Sequence, residues 1–202
     1  FGAPAMGYNT DIYRKTAKFD GKDDAYFYKL SDDDYDQIKD HFTYELYYKA
    51  EDNGSSVDWV DIFSGAEGGG MYFQQLKEGK IESGIKFGSS DYTVTILPLN
   101  MGAWNHYVIT YDGANLKYYH DGELIANATK AQTGNLAVPN DNNAKAMVIG
   151  ADANKSTTTL SNYAKCEVGV ARLYSSCLSA SNVAQAYAKV VQGTSKVLDT
   201  RV

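Results

Sequence analysis

The chain is poor in cysteine, carries no excess of basic residues, and has no apolar run approaching the roughly 18 residues that a membrane helix requires. The last lack means that no segment reads as membrane-inserting. The net charge is −6, with acid gathered in DGKDD at 20–24 and SDDDYD at 31–36. Nucleic acid and anionic membrane surfaces both need a basic face, so neither is expected as the main partner. The two cysteines, Cys166 and Cys177, lie eleven positions apart on what reads as one strand. An extended chain would hold them roughly 36 Å apart, against the limit of about 7 Å between Cα atoms for a disulfide, so two free thiols are expected. The opening FGAPAMGYNTDIYRK lacks the charged start and long apolar stretch of a secretory signal. A chain that starts at Phe1 reads as a mature or excised piece, with neighbouring domains of the same protein as potential partners.

Several catalytic signatures are also missing. His41, His106 and His120 show neither HxH nor HxxxH spacing, which leaves zinc poorly supported. Nothing resembles the strand–turn–helix elbow of a nucleophilic serine. The glycines at 65–70 are followed by the strand-like MYFQQL, not by the helix that a phosphate loop requires. Glycosidases of β-sandwich type need carboxylates that share one face of a strand. Asp58 and Asp61 are three apart and fall on opposite faces, so they read as a solvated pair. Glu78, Glu82 and Glu123 have no second acid at i+2.

What the chain does have is tyrosine, seventeen in all against two Trp and seven Phe, which suits strands and equally suits a sugar-binding surface. Its centre is the stretch WNHYVITYDGANLKYYHDGELIAN at 104–127. Alternating runs there are separated by Asp112-Gly113 and Asp121-Gly122, strong short-range turn signals, and predict a three-strand antiparallel meander. Further strands are expected at Phe42–Ala50, where a period of two implies one buried face, and at Asp58–Phe63, 71–76, Ile81–Phe87, Tyr92–Leu97, Ala146–Ala151 and Val168–Tyr174. Residues 17–26 read as strand, tight turn, strand; 30–40 as a loop or one helical turn; 128–145 as a surface excursion around Leu136 and Val138. Val183, Ala186, Tyr187 and Val190 share one helical face, with Ser179 or Ser181 as cap and Gly193 at the far end. About ten to twelve strands, no internal repeat and no linker predict one domain over 1–202, with its core at about 17–192.

The wording resembles a known family. Phe19-Asp20-Gly21 followed by acids, Trp104 leading to Tyr111-Asp112-Gly113, then Asp121-Gly122-Glu123-Leu124, then Arg172-Leu173-Tyr174 and a closing Leu178-Ser179 with a helix, follow in the order of a laminin-G-like domain. The resemblance implies the concanavalin A-like jelly roll: an all-β, two-sheet antiparallel β-sandwich with a short C-terminal helix. It also implies that Trp104 is packed core; His120, which shares the parity of Leu116 and Tyr118, is expected at a core position from the alternation itself.

Two sites are expected. Asp20, Asp23 and Asp24 in the first turn offer carboxylates and carbonyls of the kind Ca²⁺ takes; the resemblance adds an acid from the last strand, where Glu167 is the available residue beside Gly169 and Val170. For ligand, Trp59 flanked by Asp58 and Asp61 could stack on a sugar ring while the acids take hydroxyl hydrogen bonds. Tyr72, Gln74 and Tyr92 would line the outer, concave face where related domains hold glycan. The function these features imply is a non-catalytic carbohydrate-binding, lectin-like module that binds a glycan or polysaccharide, outside the cell or on its surface. The alternatives are a protein-interaction or spacer module without a small ligand, and a glycosidase or polysaccharide lyase on the same fold.

Overall fold

The computed structural model describes residues 2–12, 14–54, 56–140, 145–153 and 160–192. Along the chain run β1 (Ala5–Asn9), β2 (Arg14–Asp20), β3 (Tyr26–Lys29), α1 (Asp32–Ile38), β4 (Phe42–Ala50), β5 (Trp59–Ala66), β6 (Gly70–Leu76) and β7 (Lys80–Lys86). There follow β8 (Tyr92–Pro98), β9 (Trp104–Tyr111), β10 (Asn115–His120), β11 (Glu123–Ala131), β12 (Ala146–Ile149), β13 (Lys165–Tyr174) and α2 (Ala180–Gln192). The strands form two antiparallel sheets, one in the order β1-β2-β13-β4-β9-β10-β11, the other β3-β12-β5-β6-β7-β8. This is the expected all-β sandwich with a short C-terminal helix.

The meander of β9, β10 and β11 is built as the Asp-Gly pairs predict. Gly113 and Gly122 take φ of 85° and 84°, and the Asp112 carboxylate accepts the backbone N–H groups of Ala114 and Asn115. The inner faces of the two sheets meet in an aromatic core. Tyr44 stacks on Phe63 at 4.3 Å between centroids, and Phe73 is met edge-on by both Tyr48 and Tyr107. Ring pairs of this kind add to the burial that holds a sandwich together.

Four expectations change. There are thirteen strands among the described residues, because β1 pairs with β2 ahead of the expected core and β3 is short. Residues 17–26 are not a hairpin: β2 and β3 belong to different sheets, and the acidic turn is a corner between them. Residues 32–38 form a full helix, α1, closed by a reciprocal capping box between Ser31 and Asp34. Finally, β4 is buried on both faces, because α2 lies over its far side. There Tyr47 and Val170 pack with Val190, while Val108 and Tyr119 pack with Val183. Ser179 caps α2 through its hydroxyl to the Asn182 N–H; Gly193 lies outside the described residues.

Trp104 stacks on Tyr47 at 4.9 Å beneath α2, half-buried, and so belongs to this outer cluster and not to the main core. His120 is half-buried too; it stacks on Tyr107, and its Nε2 lies 3.0 Å from the Asn105 side-chain oxygen. The covered face also buries ions. The Glu45 carboxylate meets His106 Nε2 at 3.1 Å and accepts from Tyr174 Oη at 2.6 Å and Arg172 Nη1 at 3.2 Å. Burial works to raise the Glu45 carboxyl, but the hydrogen bonds from His106 and Tyr174 and the nearby positive charges outweigh it and hold it at about 2. Cys166 is buried and Cys177 half-buried; both are free.

Candidate functional site

The face of interest is the outer side of the six-stranded sheet. Cross-strand register aligns Asp61 with Gln74, Gln74 with Glu82, and Glu82 with Ile96. The neighbouring row aligns Ser64 with Tyr72, Tyr72 with Gly84, and Gly84 with Val94, with Tyr92 one pair further on opposite Lys86. Strand alternation sends these side chains away from the core. Tyr72, Gln74, Tyr92, Ser64, Glu67 and Asp152 are among the residues lining a cleft of about 270 Å³.

Each residue of the cleft is held by something identifiable. The Tyr72 ring lies across Gly84, where any side chain would overlap it, and its hydroxyl donates to Glu82 Oε1 at 3.0 Å. Tyr72 and Tyr92 stand 5.5 Å apart, tilted by 50°, and the Tyr92 hydroxyl donates to the Gly69 carbonyl at 2.8 Å. That carbonyl comes from the tight turn of the β5–β6 hairpin, where Ala66 pairs with Gly70. Gly70, at φ 72°, approaches the Gly65 carbonyl too closely for any Cβ. Gln74 Nε2 donates to Asp61 Oδ1 at 3.1 Å, and Asp152 accepts the Ser64 hydroxyl at 2.9 Å.

Asp61 lies beneath the cleft, behind Gln74, and does not line it. It is fully buried, where the sequence suggested a solvated residue, and its Oδ2 has no hydrogen-bond partner. Burial, then the charge of Asp152, push its carboxyl well above the usual range, against the hydrogen bond from Gln74. Burial raises the Asp152 carboxyl as well. Asp58 goes elsewhere, pairing with Lys77 at 2.7 Å on the exposed surface. Trp59 is 42% exposed but lies five residues along β5 from Ser64, roughly 16 Å of extended chain. It borders a much smaller depression, about 30 Å³, with Asn53, Val57 and Met101. The structure thus gathers Asp61, Tyr72, Gln74 and Tyr92 and leaves Asp58 and Trp59 outside.

Sequence reasoning missed Ser64, Glu82 and Asp152. Glu82 was visible only as a lone acid, and its partner Tyr72 stands on the neighbouring strand. Asp152 is 91 positions from Asp61; the β12–β5 pairing, with the bridges Asp61–Tyr163 and Asp152–Ser161, ties their segments together.

The first-turn acids do cluster: carboxylate oxygens of Asp20, Asp23 and Asp24 all lie within 4.8 Å of one another. These are hard donors of the type Ca²⁺ uses, though fewer than the six to eight it takes. Glu167 does not join them. It is buried and accepts from Asn9 Nδ2 at 2.7 Å and Thr16 Oγ1 at 2.5 Å, with Lys18 at 3.9 Å.

Comparison with known proteins agrees with the architecture. The botulinum neurotoxin serotype D binding domain superposes with a TM-score of 0.70 at 17% identity, over 93% of this chain and 45% of that one. The receptor-binding domain of the C/D mosaic neurotoxin gives 0.70 at 14%, over 92% and 45%. A serotype D ligand-binding domain solved in complex with N-acetylneuraminic acid gives 0.66 at 14%, over 91% and 44%. At such identities the likeness is one of fold, and the chain spans just under half the length of these structures. No curated protein matches the sequence. A family model does match, over residues 20–184, from the acidic corner to the first turn of α2. With the whole of the six-stranded sheet, the Asp-Gly meander and most of the seven-stranded sheet inside that span, the chain belongs to the concanavalin A-like lectin/glucanase superfamily, in its laminin-G-type branch.

Proposed function

We propose that the chain is a non-catalytic, lectin-like module of a larger secreted or cell-surface protein, and that it binds carbohydrate in the cleft on the outer face of the six-stranded sheet. The observation that carries this reading is the pair Tyr72 and Tyr92, fixed side by side in a cleft that also offers the Gln74 amide and the Asp152 carboxylate. Ring faces take the apolar side of a pyranose while the amide and acid take its hydroxyls. Three acids around the cleft already accept hydrogen bonds from the protein: Glu82 from Tyr72, one oxygen of Asp152 from Ser64, and Asp61 from Gln74 beneath the surface. That favours binding over hydrolysis, which needs an acid and a second carboxylate free to flank the scissile bond. We place Ca²⁺, if the module uses it, at Asp20, Asp23 and Asp24, where it would brace the corner between the sheets.

A protein partner is the second reading. Val94 and Ile96 are 45% and 49% exposed on β8, the edge strand beside Tyr92, and a related binding domain was solved in complex with rat synaptotagmin II. The test is a glycan array with the purified chain, in Ca²⁺ and in EDTA, against Tyr72→Ala and Trp59→Ala. Saccharide binding that drops at least tenfold in Tyr72→Ala and survives Trp59→Ala is expected. A blank array, with binding instead to a deglycosylated protein through β8, would move the function to the second reading.

A further inference from the structure

The charge of the cleft says what kind of saccharide suits it. Among the described side chains lining it, Glu67 and Asp152 are acidic and none is basic. Asp61 and Glu82 stand in the rows beside them. Lys86 sits 5.7 Å from the Tyr92 ring centroid but is not among the lining residues. Asp61 is buried beneath this face with Oδ2 unpaired, and the charge of Asp152 adds to burial in raising its carboxyl, against side-chain hydrogen bonds from Gln74 and Asn162. Glu67 and Asp152 line the same cleft as the Tyr72 and Tyr92 rings, and their charges add to burial in pushing the Tyr92 phenol up. Carboxylates beside two tyrosine faces are a setting for an ammonium group, which gains from the charges and from the rings together.

We infer that the cleft is built for a saccharide carrying a protonated amine, a hexosamine unit with its amino group free, in preference to a neutral or acidic sugar. The inference rests on the carbohydrate reading above and adds the ligand's charge to it. The ammonium would sit between Asp152 and Glu67 against Tyr72 and Tyr92, and would answer the acids that line the cleft. An acidic sugar would bring a third negative charge to the same place.

Titration calorimetry with three probes tests this: glucosamine oligomers, the same oligomers fully N-acetylated, and sialylated oligosaccharides. The free-amine oligomer is expected to bind at least tenfold more tightly than its N-acetylated form, with no measurable binding of the sialylated probe. That preference should fall severalfold in 0.5 M NaCl. It should also shrink in Asp152→Asn, and in Glu67→Gln, whose turn position keeps the test usable if Asp152→Asn does not fold. Equal or tighter binding of N-acetylated or sialylated probes, still lost in Tyr72→Ala, would overturn the charge inference and leave the carbohydrate reading standing. Failure of all three probes to bind in a Tyr72-dependent way would overturn both.

Discussion

Replacing Glu45 with glutamine removes one charge from a place that water does not reach. Glu45 is fully buried and answers three donors, of which His106 is itself buried. Its carboxyl is held at about 2 against an ordinary value of 4.5, and a difference of that size corresponds to about 3 kcal/mol of folding stability at neutral pH. Removing one partner of a buried pair typically costs about 3–5 kcal/mol. Because Arg172 can turn its charge to solvent and glutamine keeps an acceptor, about 2–3 kcal/mol is the expected loss. For a domain of this size that is roughly 5–10 °C in melting temperature. The sign in acid follows from the depressed value. The contribution is fully present above the unfolded-state value near 4.5 and is lost as pH falls towards about 2. Urea melts of wild type and Glu45→Gln at pH 7, 5, 4 and 3 read both effects. The two proteins should differ most at pH 7 and 5, and the gap should narrow to about half or less at pH 3. A loss below about 1 kcal/mol at pH 7, or a gap that stays constant down to pH 3, would refute the reasoning.

Asp61→Asn should stabilise the fold, because the raised carboxyl of Asp61 is a cost that grows as pH rises; thermal melts should show the variant's advantage widening from pH 5 to pH 8. Gly84→Ala forces the Tyr72 ring off its seat, so a stability loss of about 1–3 kcal/mol should come with loss of saccharide binding in the same titration. If Asp20, Asp23 and Asp24 hold Ca²⁺ in the range of extracellular modules, with dissociation constants of about 0.1–1 mM, then 10 mM CaCl₂ should stabilise the protein by about 1.4–2.7 kcal/mol. Asp23→Asn should abolish that shift in differential scanning fluorimetry. Burial raises both thiols, Cys166 above Cys177 in its isolation from solvent. A thiol reagent should therefore modify Cys177 slowly in the native protein and Cys166 only on unfolding, as mass spectrometry would show.

The parts of the fold that were legible in the sequence are those set by neighbours along the chain. Asp112-Gly113 and Asp121-Gly122 announced the meander, and parity alone put Tyr72 and Gln74 on one face. The opening corner misled, because strand–turn–strand in sequence cannot tell a hairpin from a crossing between sheets. Period-two alternation in β4 assigned Thr43, Glu45 and Tyr47 to solvent, since nothing in residues 42–50 reveals that a helix begun at 180 will cover them. The cleft was half legible for the same reason. Tyr72, Gln74 and Tyr92 were found from their strands, whereas the approach of Asp61 to Asp152 depends on a pairing across the length of the domain. Trp59 drew attention as a Trp between acids, yet its place at the end of β5 sets it beside a shallow depression.

The position of β13 has a consequence for how the protein is made. It is the last strand among the described residues, yet it lies inside the seven-stranded sheet, between β2 and β4. Until residue 174 has left the ribosome, β2 and β4 each present an open edge, and the sheet exists as two separate pieces. Open edges of this kind invite pairing with other chains, and closing a sheet across some 150 residues is slow. Synthesis therefore has a vulnerable interval that ends with the arrival of β13, and α2, following directly, covers the junction as soon as it is formed. A truncation before Lys165 would thus divide the sheet and yield an aggregating chain instead of a shorter domain.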